Sequence, residues 1–302
     1  MKMILEADIP QIKRLLWDVL QVSDYRQIER LGGLTNHTYK VELDDGRMYV
    51  VRLPGEGTEE LINRGDEKIS TQLACELGID AQLLHFGPTG EKVTCYIDGA
   101  HTLSASSFAD ENVLRRVAKV FRILHTSGAD TNVPFDVFEM AAGYERIIRD
   151  NHVELFEDYD EIKIQVMAIR NRVSSDVTKV VPCHNDPLCE NWVQGQDGKL
   201  YLIDWEYAGM NDAMWDLADV SIEAGLSAEQ DNMLLGFYFN KGVTEEEVIR
   251  FHANKLYLDY LWSLWGKARV PFDGEPMEIY GQERYARLRR NLNDFLQNFP
   301  ME

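Results

Sequence analysis

Over the first twenty residues, apolar positions return with helical spacing. Ile9, Ile12, Leu15, Leu16 and Val19 share one face of a helix expected over residues 8–20. Asp8 stands where an N-cap belongs, and Pro10 suits the first turn. The period then shortens. Segments near 26–31, 37–43 and 47–53 alternate or carry β-formers, and Asp45-Gly46 is a hairpin turn signal. A helix follows over about 58–77, capped by Thr58 and stopped by Gly78. Strands near 82–86 and 92–97 flank the turn Pro88-Thr89-Gly90. From about 110 the pattern is helical: 110–126, 136–151, 158–175, 212–224, 227–239, 244–267 and 277–297. One strand-and-loop island, 179–207, interrupts it. There is no internal repeat and no low-complexity linker. The pattern predicts an α+β fold: a small β-rich N-terminal lobe over 1–98 and a larger α-helical lobe over 99–302. The cleft between two such lobes is a usual place for a ligand.

Composition narrows the function. The 302 residues are 45% hydrophobic and 27% charged, ordinary for a globular chain with a sizeable core. The 31 basic and 51 acidic residues give a formal charge of −20. Such a field repels nucleic acid and anionic membranes. It repels ATP equally, so a nucleotide site must concentrate its own positive groups and bring metal. Acidity alone also fits plain solubility. Cys75, Cys95, Cys183 and Cys189 form no CxxC pair, so zinc is not indicated, and reduced thiols in a cytoplasm account for them. Glu6 and Asp8 interrupt the opening apolar run, which fits neither a signal peptide nor a membrane span.

The island carries the chemistry. It reads VVPCHNDPLCEN, with His184, Asp186 and Asn191 in the form HxDxxxxN after a short apolar strand. Eighteen residues beyond Asp186, Asp204 ends a second apolar strand in LYLIDWE. Taken singly these are turn and strand-end residues. Together they match what phosphoryl transfer needs. Asp186 is a carboxylate to accept a hydroxyl proton, and Asn191 and Asp204 are hard oxygen ligands for Mg²⁺ on the phosphates. The metal loop reads Asp-Trp-Glu rather than Asp-Phe-Gly, which disfavours an ordinary protein kinase. His184 is read as a packing and hydrogen-bonding residue of the loop.

HNDPLCEN, followed by LIDWEYAG and WDLADVSIE, resembles the choline/ethanolamine kinase family, within the aminoglycoside-phosphotransferase-like kinases. The likeness runs from about residue 28 to the C-terminus and is looser before residue 80. It implies a protein-kinase-like bilobal fold, use of ATP and Mg²⁺, and phosphorylation of an amino-alcohol hydroxyl. Small residues in LGGLTNHTY let backbone N–H groups approach phosphates, although a plain hairpin turn fits equally. The resemblance tips Gly33, Thr35 and Asn36 toward a phosphate-covering loop. It likewise implies Arg52 on phosphate oxygens, Glu67 holding Arg52 in an ion pair, and Tyr96-Ile97 offering backbone to adenine. Without the likeness Glu67 reads as an exposed helix residue, with Arg64 as a competing surface partner.

The acceptor half is aromatic. Trp262 and Trp265 stand i, i+3 on one helix face, and Asp216 and Glu223 stand i, i+7 on another. Tryptophan faces attract quaternary ammonium ions, so an aromatic cage with one carboxylate is a natural choline site. A core tryptophan pair is the bland alternative. The resembled family sets the tryptophans and the glutamate around the ammonium group and closes the cage with an aromatic at the Tyr280 position. Met277 stands where the eukaryotic relatives tend to carry another aromatic, which weakens strict choline preference. The expectation is a cytoplasmic, Mg-ATP-dependent choline kinase without nucleic-acid partners or membrane insertion. The alternatives are an ethanolamine kinase, an aminoglycoside phosphotransferase and a non-catalytic kinase-like scaffold.

Overall fold

The computed structural model describes residues 4–32, 36–55, 62–173 and 179–300. Thr58, expected as a cap, lies outside them, as do Gly33 and Thr35.

A five-stranded antiparallel sheet forms the N-terminal part, in the order β1-β2-β3-β5-β4. Its strands are β1 (Gln27–Gly32), β2 (Asn36–Glu42), β3 (Met48–Pro54), β4 (Leu83–Phe86) and β5 (Lys92–Cys95). Helix α1 (Ile9–Leu20) lays Ile12, Leu15 and Leu16 against Tyr39, Val41, Val51 and Val93, giving this sheet its own core. Asp8 does not cap α1. Its carboxylate instead accepts from the Tyr39 hydroxyl at 2.5 Å and pairs with His37 at 2.8 Å, both on β2. A sheet contact has overridden a local cap.

Helix α2 runs Arg64–Glu76, and its N-cap is Asn63, whose side chain accepts from the Gly65 and Asp66 N–H groups. Residues 62 and 63 are not helical, so the helix starts later than its sequence pattern suggested. Ala74 and the following Ile79 are buried in the core of the helical part, and Leu202 donates to the Ile79 carbonyl at 2.9 Å. Thus α2 is anchored across the two parts of the chain.

The rest is α3 (Glu111–His125), α4 (Val137–Asp150), α5 (Tyr159–Val173), α6 (Ala213–Ala224), α7 (Ala228–Phe239), α8 (Glu245–Asp273) and α9 (Glu275–Asn298). The island supplies β7 (Val181–Cys183), β8 (Trp192–Gln194), β9 (Leu200–Leu202) and β10 (Gly209–Asn211). β7 pairs with β10, and β8 sits between β9 and the two-residue β6 (His101–Thr102). Helix α8 runs past its expected end at 267 and contains Pro271. That proline lacks the N–H for the Lys267 carbonyl, and the helix continues only two residues beyond it.

Helices α8 and α9 cross at Gly266 and Gly281. A Cβ on Gly266 would stand 2.9 Å from the Gly281 Cα. This close approach sets Trp265 and Tyr280, the neighbours of those glycines, ring against ring at 5.6 Å. No helix among the described residues is long and apolar enough to cross a membrane.

Candidate active site

The antiparallel pairing of β7 with β10 brings the start of the HxDxxxxN loop beside the entrance to α6. There Asp216, fully buried, accepts the His184 N–H at 2.9 Å on one oxygen and the Asn185 N–H at 2.8 Å on the other. His125 of α3 braces the same carboxylate at 3.0 Å. Asn185 has φ 67°, a left-handed conformation that costs a non-glycine residue free energy. Tyr207, Asn211 and Trp215 occupy its remaining polar groups and hold it there. His184 accepts the Asp186 N–H on Nδ1, so its proton sits on Nε2 and is donated to the Ile203 carbonyl at 2.9 Å. Burial keeps the imidazole below its usual pKa, and a neutral ring with both nitrogens occupied is a strut between two loops. His125, Cys183 and Asp216 bring three potential metal-binding atoms together, but each is already hydrogen-bonded to protein, so this cluster is a brace for the loop.

Asp186 lies half-buried at the loop tip. Burial, then the charges of Asp204, Glu223 and Glu206, hold its carboxyl well above the ordinary range. Glu206 is pushed up to about 7, first by burial and then by Asp204. The Asn191 amide donates to the Asp186 carbonyl at 2.9 Å, which leaves its oxygen for another partner. Asp204 follows β9 with φ 70°, and its side chain is 36% exposed. Two hard oxygen donors inside a surplus of buried negative charge fit Mg²⁺.

The N-terminal part contributes the cations. Arg52 is buried on β3, 2.5 Å from Glu67 of α2, and donates to the Gly90 carbonyl at 2.9 Å. A longer contact of 3.4 Å reaches Asp204. Arg64 is no surface competitor. It too is buried, 2.6 Å from Glu67 and 3.4 Å from Glu206. Asn36 donates to Glu206 at 3.1 Å, so the start of β2 is tied to the loop after β9. At the end of β5, the Tyr96 N–H goes to the Met48 carbonyl and the Ile97 carbonyl receives Ala100. Among the described residues, the Tyr96 carbonyl and the Ile97 N–H have no backbone partner. Glu206 and Asn185 carry no signal in the sequence, where Arg64 reads as a surface partner of Glu67, because the contacts that bury them come from distant segments of the chain.

Asp80, between α2 and β4, is another residue that the sequence did not single out. Its oxygen accepts the Ala81 N–H at 2.6 Å, and burial pushes its carboxyl up to about 6 despite the nearby Lys92. Between about pH 4, the usual value for an unfolded aspartate, and pH 6 the native state therefore holds the extra proton. The Asp80 contribution to stability should fall by roughly 3 kcal/mol as pH rises through that window and level off above it, while the raised Glu206 and Asp186 carboxyls keep the total falling. Urea titrations at pH 4, 5, 6 and 7 measure this. Asp80→Asn cannot titrate and should flatten the slope; an unchanged slope in the variant would assign it to other groups.

Beside α8 and α9 the rings form a chain. Tyr207 meets Trp262 at 5.5 Å, Trp262 meets Trp265 at 6.2 Å, and Trp265 meets Tyr280 at 5.6 Å, all edge to face. Trp262 is 5% exposed, whereas Trp265 and Tyr280 are half-buried. The guanidinium of Arg284 lies over the Tyr280 ring at 5.0 Å and reaches Glu223 at 2.6 Å. Its other edge is 3.5 Å from Asp259, which Arg287 grips with both arms at 2.7 and 2.8 Å. Glu223 is thus held by an internal cation, a relation invisible in the Asp216-to-Glu223 spacing. The i+4 interval from Tyr280 to Arg284 was the available signal. The wall stands next to the HxDxxxxN loop: the charge on Glu223 acts on Asp186, and burial raises the Tyr207 and Tyr280 phenols with further help from Asp186.

The sequence model of the choline/ethanolamine kinase family matches residues 28–264. A choline/ethanolamine kinase family protein from Mesorhizobium loti superposes with a TM-score of 0.83 at 32% identity, covering 94% of each chain. Choline kinase LicA from Streptococcus pneumoniae gives 0.82 at 31% identity, covering 96% of this chain and all of its own. Protein LicA of Haemophilus influenzae is 29% identical over 262 residues, 84% of this chain and 76% of that protein.

Proposed function

The chain belongs to the choline/ethanolamine kinase family, and on that premise we propose that it transfers the terminal phosphoryl group of Mg-ATP to the hydroxyl of choline or a close amino alcohol. Membership makes it a small-molecule kinase that uses ATP. The observation that carries the acceptor is the junction of Asp186 with the Tyr207–Trp262–Trp265–Tyr280 wall and Glu223. An aminoglycoside needs an open polar groove instead. A scaffold needs none of the buried charges around Asp186, Asp204 and Arg52, which cost stability unless a ligand uses them.

In this reading residues 1–98 hold the nucleotide and 99–302 the acceptor. The Tyr96 carbonyl and Ile97 N–H hydrogen-bond adenine. Gly33, Thr35 and Asn36 cover the phosphates, and Arg52, oriented by Glu67, contacts them. Mg²⁺ held by Asn191 and Asp204 would neutralise and align the phosphate oxygens. The ammonium group sits against Trp262, Trp265 and Tyr280, with Glu223 as its carboxylate. Its positive charge offsets the negative fields on Asp186, which then accepts the hydroxyl proton as the oxygen attacks phosphorus.

Trp262→Ala and Trp265→Ala test the acceptor site. Each should raise the KM for choline roughly thirtyfold, the loss of a desolvated cation–π contact, with the KM for ATP nearly unchanged. Truncating a buried Trp262 also costs about 3–5 kcal/mol of packing, so thermal melting must come first. Trp→Phe retains an aromatic face and should retain much of the affinity. Folded alanine variants with wild-type choline KM would overturn the assignment.

A further inference from the structure

One carboxylate in the acceptor wall has no role above. Asp219 lies on α6, one turn after Asp216 and one turn before Glu223, on the face turned to the HxDxxxxN loop. It is 1% exposed, and its Oδ2 is buried without a hydrogen-bond partner among the described residues. A buried oxygen of this kind is unfavourable, and native proteins seldom leave one without a partner or a ligand. The charges that act on Asp219 include those of Glu223, Asp186 and Arg284. Those groups are the proposed cation carboxylate, the proton acceptor and the cation over Tyr280. Arg284 reaches Glu223 at 2.6 Å through Nη2, while its Nη1, 3.5 Å from Asp259, is also buried without a hydrogen-bond partner, so among the described residues no bond joins Arg284 to Asp219. The aromatic faces of the wall attract positive charge but accept hydrogen bonds only weakly. An acceptor with N–H bonds therefore needs a real acceptor atom, and the wall holds an unused one.

We propose that Asp219 accepts N–H hydrogen bonds from the ammonium group of the substrate and so ranks amino alcohols by the number of N–H bonds they carry. This rests on reading the cleft as an amino-alcohol kinase site. A quaternary ammonium offers Asp219 charge alone. A primary ammonium offers charge and donors, in a place shielded from water where charge-assisted hydrogen bonds are strongest.

The test uses ethanolamine, its N-methyl and N,N-dimethyl derivatives, and choline. Binding is measured by calorimetry and turnover by ADP release, for the wild type, Asp219→Asn and Asp219→Leu, each checked by thermal melting. Losing a charge-assisted hydrogen bond should weaken ethanolamine relative to choline by about tenfold or more in both variants, with intermediate losses for the methylated amines. Leucine should give the larger change, since asparagine keeps a weak acceptor. An ethanolamine-to-choline ratio unaltered in both variants overturns the inference, including the case in which all four amines weaken equally through lost charge or packing. Graded binding without phosphoryl transfer would sink the proposed function alone. Transfer to all four amines with an unaltered ratio would sink this inference alone. Failure of every amine to bind the wild type would overturn both.

Discussion

Asp186→Asn is expected to lower kcat by roughly 10²–10⁴ while leaving folding and nucleotide affinity intact. Asparagine has the same shape but cannot take the hydroxyl proton. The loop around it does not depend on the carboxyl. The Asp186 N–H goes to His184 Nδ1, and its carbonyl receives Leu188 and Asn191. Asp216 fixes the preceding residues from below. Because burial and neighbouring acids already raise the Asp186 carboxyl, removing its charge should leave the melting temperature equal or higher at neutral pH. Steady-state kinetics on the purified, folded variant decide the matter: near-normal turnover would show that Asp186 is not the proton acceptor.

Asp204→Ala should act at a different step, abolishing Mg²⁺-dependent nucleotide binding. Losing an outer-shell partner of a metal costs about 10–100-fold in affinity, and losing a direct oxygen ligand should exceed that. The residue also sits at φ 70°, which alanine tolerates poorly. Asp204→Asn is the companion variant, since asparagine accepts that backbone and removes only the charge. Titration calorimetry with ATP, with and without Mg²⁺, separates the effects. The alanine variant should also free Arg52 from its 3.4 Å contact, so metal-free nucleotide binding should persist. Unchanged Mg-ATP affinity in both variants would assign Asp204 a structural role.

Much of the fold was legible because its causes are local. The apolar spacing of Ile12, Leu15 and Leu16 needs only a helix period, and Asp45-Gly46 needs only a turn, with Gly46 at φ 84°. Among the proposed site residues, Asp186, Asn191 and Asp204 stood out because phosphoryl transfer requires those chemical types at short spacings. What the sequence could not decide were the long-range pairings. Arg64 and Glu206 are 142 positions apart, and Asn36 and Glu206 are 170 apart, so the burial of Arg64 has no local signature. Asp8 looked like a cap until β2 supplied better partners. Glu223 looked like a free carboxylate until α9 brought Arg284 to it. Asp219 carried no signal at all, since only the packing of α6 shows that its oxygen is buried and unused. Periodicity reports which face of an element turns inward; what that face meets depends on how distant elements pack, and in this protein that packing sets the charge balance of the site.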